Sequence, residues 1–173
     1  MRVALAADGN TRIAMGSPSP QGGYEDAFAF KPGVGGNMRL TAVIYRAAGY
    51  APSANHEIEL LLGCRTSSGN RRWIECLLNA DGYADILTLD GGPSGFQSIG
   101  YRTNQISAPR DNDIMVAELI GNTVSWYLNG VLACSYSGSA TSGLGDGAGI
   151  AVFYRSGANV RAFGFRSLKI ERI

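Results

Sequence analysis

The stretch DIMVAELIGNTVSWYLNGVLACSYS, residues 113–137, decides the fold of this 173-residue chain. It predicts three consecutive antiparallel strands joined by two tight turns, at Gly121-Asn122 and at Asn129-Gly130. Glycine and asparagine tolerate the positive φ that two-residue hairpin turns need. Both dipeptides stand between runs that alternate apolar and other residues, which is the pattern of half-buried strands.

The two turns can be checked against each other, because a two-residue turn fixes which residues face each other across the hairpin. The first turn predicts these pairs: Leu119 with Val124, Ala117 with Trp126, and Met115 with Leu128. The second turn predicts Leu128 opposite Val131 and Trp126 opposite Ala133. All of these side chains then share one apolar face, since side chains alternate along a strand. Trp126 is therefore predicted to lie in the core.

The rest of the chain continues the strand pattern on both sides of this stretch. Further strands are predicted at 2–7, 11–15, 24–30, 37–46, 57–66, 71–79, 83–89, 96–103, 148–155 and 160–170. In the last one the apolar phase shifts, so a β-bulge is predicted near Arg166-Ser167. No window has a helical period and no repeat is present. The sequence therefore predicts one all-β domain over residues 1–173, a two-sheet antiparallel β-sandwich.

Composition excludes several classes of function. Hydrophobic residues make up 45% and charged residues 17%, with a net charge of +1 and no block of like charges. No nucleic-acid or membrane partner is predicted. The start of the chain lacks the pattern of a signal peptide, so synthesis in the cytoplasm is expected. Cys64, Cys76 and Cys134 are predicted to be buried free thiols, with Cys64 and Cys76 on opposite faces of their hairpin.

Three segments resemble a known superfamily: DNDIMVAELIGNTVSWYLNGVLACSYS, SGLGDGAGIAVFY and VRAFGFRSLKI, which together span residues 111–170. They are similar to the concanavalin A-like lectin/glucanase superfamily, including laminin G-like jelly rolls. The resemblance is strongest to versions found in bacteriophage tail and other virion proteins. It implies a concanavalin A-like jelly roll whose members bind glycans or act in adhesion and assembly, and which sometimes hydrolyse polysaccharides.

Potential catalytic side chains occur in two places. Glu57-Ile58-Glu59 places two acids on one face, but a third acid is missing, and a solvated strand edge is the favoured interpretation. His56 is the single histidine. It follows a polar loop without a nucleophile-elbow motif and is predicted to be a surface residue. The chain is accordingly predicted not to be an enzyme.

Metal and phosphate patterns are weak. Asp111-Asn112-Asp113 and Asp146 offer oxygen ligands of the type that calcium prefers. Asp and Asn also cap turn backbones, and that use is favoured here, with calcium at Asp111 and Asp113 left as an alternative. The glycine-rich residues 143–149 precede a strand and lack the lysine of a phosphate loop. No metal site and no cofactor are predicted.

Glycan-binding candidates are aromatic and planar polar side chains at predicted strand surfaces. They fall in three places: Tyr101 with Arg102 and Asn104; Tyr127; and Tyr154 with Arg155. Aromatic rings stack on sugar faces, while amide and guanidinium groups donate to sugar oxygens.

The resemblance implies that the chain is a non-enzymatic structural or adhesion module of a phage virion, in the tail or on the capsid surface. Its expected location is the virion. Its expected partners are other virion proteins, further copies of itself in a homo-oligomer, and host-surface carbohydrate. Two alternatives remain open. One is a free bacterial lectin. The other is a glycoside hydrolase with an unfamiliar acid pair, such as Glu75 and Glu118, if both acids point into one groove.

Overall fold

A computed structural model describes residues 3–5, 11–13, 24–51, 56–67, 70–90, 95–100, 106–155 and 162–173. In these ranges the chain forms strands and one short 3₁₀ turn, η1 (Ser139–Thr141). The strands are β1 (Val3–Leu5), β2 (Thr11–Ile13), β3 (Tyr24–Lys31), β4 (Met38–Arg46), β5 (His56–Ser67), β6 (Asn70–Asn79), β7 (Ala84–Asp90), β8 (Phe96–Ser98), β9 (Ile114–Ile120), β10 (Thr123–Leu128), β11 (Val131–Ser137), β12 (Gly147–Arg155) and β13 (Phe163–Arg172). None of the described helical residues forms a segment long and apolar enough to cross a membrane.

Two antiparallel sheets form the body of the fold. A five-stranded sheet runs in the order β11-β10-β9-β4-β13, and a six-stranded sheet in the order β3-β12-β5-β6-β7-β8. Strands β1 and β2 pair separately as a small hairpin. The core lies between the two large sheets and includes fully buried Leu40 and Ile44 on one side and Leu60 and Ile74 on the other. The predicted two-sheet antiparallel β-sandwich is confirmed.

The first hairpin of the 113–137 stretch has the predicted register. Leu119 faces Val124, Ala117 faces Trp126, and Met115 faces Leu128. Gly121 takes the positive φ, at 60°. Trp126 is fully buried in the core, as predicted.

The second hairpin departs from the predicted register after its first pair. Leu128 faces Val131 as expected, but Trp126 faces Cys134 and not Ala133, because the register shifts between Trp126 and Tyr127. The extra residue lets two small side chains in succession, Ala133 (9% exposed) and Cys134 (3% exposed), turn towards the interior. Val131 was predicted on the apolar face, and this is wrong, because its side chain is 71% exposed.

Two further bulges shape the sandwich. In β13 the register shifts between Phe165 and Ser167, which confirms the bulge predicted at Arg166. In the β5–β6 hairpin it shifts between Leu62 and Arg65, where Gly63 has a φ of 63°. Cys76 then lies in the core, while Cys64 belongs to a separate apolar cluster. All three cysteines are free and buried, as predicted.

Residues 138–146 form a loop that crosses from β11 in one sheet to β12 in the other, and they pack on the β5 bulge. The N–H of Gly145 donates to the carbonyl of Gly63 at 2.8 Å. Leu144 sits so close to Gly63 that a Cβ there would lie 2.7 Å from the Leu144 Cβ. The loop therefore closes one end of the sandwich by direct contact with the six-stranded sheet.

Candidate functional site

The outer face of the six-stranded sheet carries an unusual set of carboxylates. Ile58, Ile74 and Ile86 point into the core. Strand alternation therefore puts the neighbouring acids on the opposite face. We call this set, Glu57, Glu59, Glu75 and Asp85, the acidic face.

Strand register places three of these acids close together. Glu59 and Asp85 are the cross-strand partners of Leu77 on its two sides. Glu75 faces Leu61 on β5 and Leu87 on β7. It is thus a diagonal neighbour of both acids, and diagonal neighbours lie about 7–8 Å apart in a sheet.

Hydrogen bonds orient two of the carboxylates. The indole N–H of Trp73 donates to Oε1 of Glu75 at 2.6 Å. The Asp85 carboxylate accepts from the hydroxyl of Tyr83 at 3.0 Å, from the hydroxyl of Ser98 at 2.9 Å and from the N–H of Ile86 at 2.7 Å. Charge-assisted bonds of this kind fix the orientation of a carboxylate.

Three of these acids are buried even though they lie on the outer face, while Glu57 is partly exposed. Glu59 is 6% exposed, Glu75 is 4% and Asp85 is 2%. A second apolar cluster surrounds this part of the sheet and consists of Leu61, Cys64, Trp73, Leu89 and Ala151. Burial and, to a smaller extent, the negative charge of Glu75 raise the pKa of the Cys64 thiol to about 12. The acidic face is therefore a low-dielectric setting in which polar interactions are strong.

The structure corrects the interpretation of Glu57 and Glu59 as a solvated strand edge. Strand β5 lies inside the sheet, between β12 and β6. The proposed pair of Glu75 with Glu118 is also wrong. Glu118 lies on β9 in the other sheet, where its Oε1 is 2.6 Å from Nε of Arg39. The sequence pattern singled out Glu59 only as a neighbour of Glu57 and missed Asp85, because the register of β5, β6 and β7 decides that Glu59 and Asp85 flank Glu75.

His56 is not a surface residue, so that prediction is wrong too. It begins β5 and is fully buried, with Nδ1 2.9 Å from the hydroxyl of Tyr50. Its ring packs edge-on against Tyr50 and Phe163, with centroid distances of 5.7 and 5.4 Å. Burial lowers the pKa of His56 to about 4, so the ring is neutral at pH 7.

The predicted glycan-binding residues do not form one described group. Tyr101, Arg102 and Asn104 lie outside the described residues. Tyr127 is half-buried on β10 in the five-stranded sheet, where it pairs with Val116 and Leu132. Tyr154 and Arg155 end β12 in the six-stranded sheet, where their backbones pair with Glu25 and Tyr24 of β3. Tyr127 and Tyr154 thus belong to different sheets.

The aspartates of the 111–113 turn serve as acceptors for the backbone and for arginine. The N–H of Arg46 donates to Asp111 at 2.9 Å, and Arg166 forms an ion pair with Asp111 at 2.6 Å. Asp113 accepts from the N–H of Arg110 at 2.6 Å. Among the described residues, no group of three or more His, Cys, Asp or Glu side chains is placed to hold a metal ion.

Comparisons with known proteins identify the fold. No family model and no curated protein matches the chain. Among solved structures, carbohydrate binding module CBM66 from Bacillus subtilis matches with 13% identity and a TM-score of 0.59, covering 98% of this chain and 91% of that one. Alginate lyase A1-II′, of polysaccharide lyase family 7, matches with 12% identity and a TM-score of 0.60, covering 99% and 84%. Bacillus licheniformis β-glucanase matches with 12% identity and a TM-score of 0.59, covering 99% and 82%.

At these identities the likeness shows the fold alone, which is the concanavalin A-like jelly roll. It also overturns the prediction that the chain is not an enzyme. The alginate lyase and the β-glucanase are enzymes, and each matches 99% of this chain. The prediction rested on the absence of an acid cluster from the sequence pattern, whereas the folded sheet assembles one from three strands.

Proposed function

We propose that this chain recognises carbohydrate through the acidic face. The observation that carries the proposal is the group Glu59, Glu75 and Asp85, three buried carboxylates on neighbouring strands outside the main core. Hydrogen bonds from Trp73 to Glu75, and from Tyr83, Ser98 and the N–H of Ile86 to Asp85, hold two of these carboxylates in fixed orientations, and acceptors that are oriented in advance bind a ligand at a lower entropic cost. The names of the three similar structures, a carbohydrate-binding module, an alginate lyase and a glucanase, support the proposal.

The chemistry of the face favours a neutral glycan. Carboxylates accept hydrogen bonds from sugar hydroxyls, and they repel the carboxylates of uronic acids. Phe153 and Leu87 are partly exposed, and strand alternation places them on the same face. The Phe153 ring offers an apolar surface for the C–H face of a sugar ring.

A glycan array followed by titration calorimetry tests this. We expect selective binding of neutral oligosaccharides, and we expect Glu75→Gln and Glu59→Gln each to raise Kd at least tenfold. Glu118→Gln is the matched control, because Glu118 is paired with Arg39 on the other sheet. No selective glycan binding, or equal losses in all three variants, would rule the proposal out.

A second candidate is a glycan-cleaving enzyme that uses the same face. The observation that favours it is the diagonal placement of Glu59 and Glu75. Glycosidases use two carboxyl groups that are about 5–10 Å apart. Incubation with the glycans that bind, with detection of new reducing ends and of unsaturated sugar products, separates the candidates. Product release that Glu75→Gln abolishes would show cleavage, and binding without products would leave recognition alone.

We propose that this recognition serves a phage virion, with the chain placed in the tail or on the capsid surface after synthesis in the host cytoplasm. The support is the sequence resemblance to virion versions of the fold. Exposed Val131 and Leu132 on the edge strand β11 offer a contact surface for virion proteins or for further copies of the chain. Light scattering on the purified chain and mass spectrometry of purified particles test this. A monomer that is missing from particles would favour a free bacterial lectin.

A further inference from the structure

Two arginines face each other at the end of the β5–β6 hairpin. Arg65 and Arg72 are direct cross-strand partners, so both side chains leave the sheet on the same side. Like charges in this position repel each other. Among the described residues, the one carboxylate within ion-pair range of either is Asp90, whose Oδ2 lies 3.8 Å from Nη1 of Arg72. The Asp90 side chain is 59% exposed, so it screens the pair only weakly.

Some donors of the pair lack acceptors among the described residues. Nη2 of Arg72 donates to the carbonyl of Ala140 at 3.3 Å. The Nε atoms of Arg65 and Arg72 are both buried, and neither finds a hydrogen-bond partner among the described residues. Buried donors without acceptors are costly, and native proteins keep few of them.

The loop of residues 138–146, which crosses between the two sheets, leaves part of Arg72 accessible to solvent. Ser142 and Gly143 are exposed, and a Cβ at Gly143 would lie 3.5 Å from Nη1 of Arg72. The Arg72 side chain itself is 22% exposed. A small solute can therefore approach the guanidinium group of Arg72 beside Gly143.

We propose that Arg65 and Arg72 together bind one tetrahedral oxyanion, a phosphate or sulfate group. One guanidinium fork saturates the two oxygens of a carboxylate, whereas a group with three or four oxygens accepts from two forks at once. The bound anion would neutralise the repulsion between the two arginines and accept hydrogen bonds from both guanidinium groups. The site lies on the same side of β6 as Ile74, opposite the acidic face, so it does not depend on the proposed carbohydrate recognition.

Titration with inorganic sulfate and inorganic phosphate tests the site, using calorimetry and thermal unfolding. Sodium chloride at matched ionic strength and sodium acetate serve as comparison salts. We expect a saturable rise in Tm with sulfate or phosphate and none with chloride or acetate. The separate sulfate and phosphate arms show which group is preferred.

Substitutions show whether the binding of sulfate or phosphate depends on these two arginines. Arg65→Gln and Arg72→Gln should each raise Kd at least tenfold, and Arg65→Gln should also raise Tm in the absence of anion, because the like charge is gone. Arg39→Gln, on the other sheet, should leave the response unchanged. Arg72→Lys keeps the charge but loses the fork, and it should weaken binding even if the glutamine variants do not fold. A response that fails to saturate and is equal in all variants would overturn the proposal.

Discussion

The indole of Trp73 holds the carboxylate of Glu75 in place: Nε1 donates to Oε1 at 2.6 Å, and both side chains are at least 95% buried. The two residues are neighbours on the outer face of β6, two positions apart. This bond connects the apolar cluster to the acidic face and gives Glu75 a fixed orientation before any ligand arrives.

Trp73→Phe removes the donor and keeps most of the ring. We expect a loss of about 1–3 kcal/mol in the free energy of unfolding, because a buried carboxylate loses a hydrogen bond. Urea denaturation measures this. Trp73→Phe combined with Glu75→Gln should lose less than the sum of the two single variants. Additive losses would show that the bond does not couple the two residues.

His56 should make stability depend on pH. Its pKa is about 4 in the folded protein and near 6.5 when unfolded, so the unfolded state binds more protons between these values. The contribution of His56 to the free energy of unfolding is therefore fully present above about pH 6.5. It falls by up to about 3 kcal/mol as the pH drops towards 4. The urea midpoint should fall over this range in the wild type and fall less steeply in His56→Gln. Parallel pH curves would contradict the assignment.

Gly63→Ala should be strongly destabilising. A side chain at φ 63° is strained, and its Cβ would lie 2.7 Å from the Cβ of Leu144. Gly121→Ala is the matched control, since φ is 60° there and no atom lies within 4 Å of the added Cβ. The strain alone costs about 1–2 kcal/mol. Chemical denaturation should give a clearly larger loss for Gly63→Ala, and equal losses would show that the loop does not press on β5.

The three thiols should resist modification in the folded protein. Burial raises the pKa of Cys134 to about 11 and that of Cys64 to about 12, so very little thiolate forms near neutral pH. An aromatic disulfide reagent at pH 8 should label the native chain slowly and label all three cysteines after denaturation. Fast labelling of one thiol in the native protein would show that the structure around it opens readily.

The local sequence pattern predicted the fold, whereas the acidic face became apparent only from the pairing of the strands. The turns at Gly121-Asn122 and Asn129-Gly130 and the bulge at Arg166 follow from residue type and spacing, so they were readable in advance. The bulge at Ala133 could not be predicted from the sequence. Alanine and cysteine are both small apolar residues, so either could face Trp126, and the structure shows that Cys134 does. The acidic face depends on strand register. The hairpin of β5 and β6 is predicted from the sequence, but the bulge at Gly63 shifts their register, so spacing alone does not show that Glu75 lies between Glu59 and Asp85.

The burial of β6 has a consequence for how this protein tolerates change. From Trp73 to Asn79 every residue of the strand is buried, whereas in β9 buried positions alternate with partly or fully exposed ones. In a library of single substitutions, β9 should accept polar residues at every second position. β6 should show no such alternation. Its inward side chains are constrained by the core, and its outward side chains are constrained by the acidic face. Divergent copies of this chain should therefore retain the β6 segment longer than any strand that meets water.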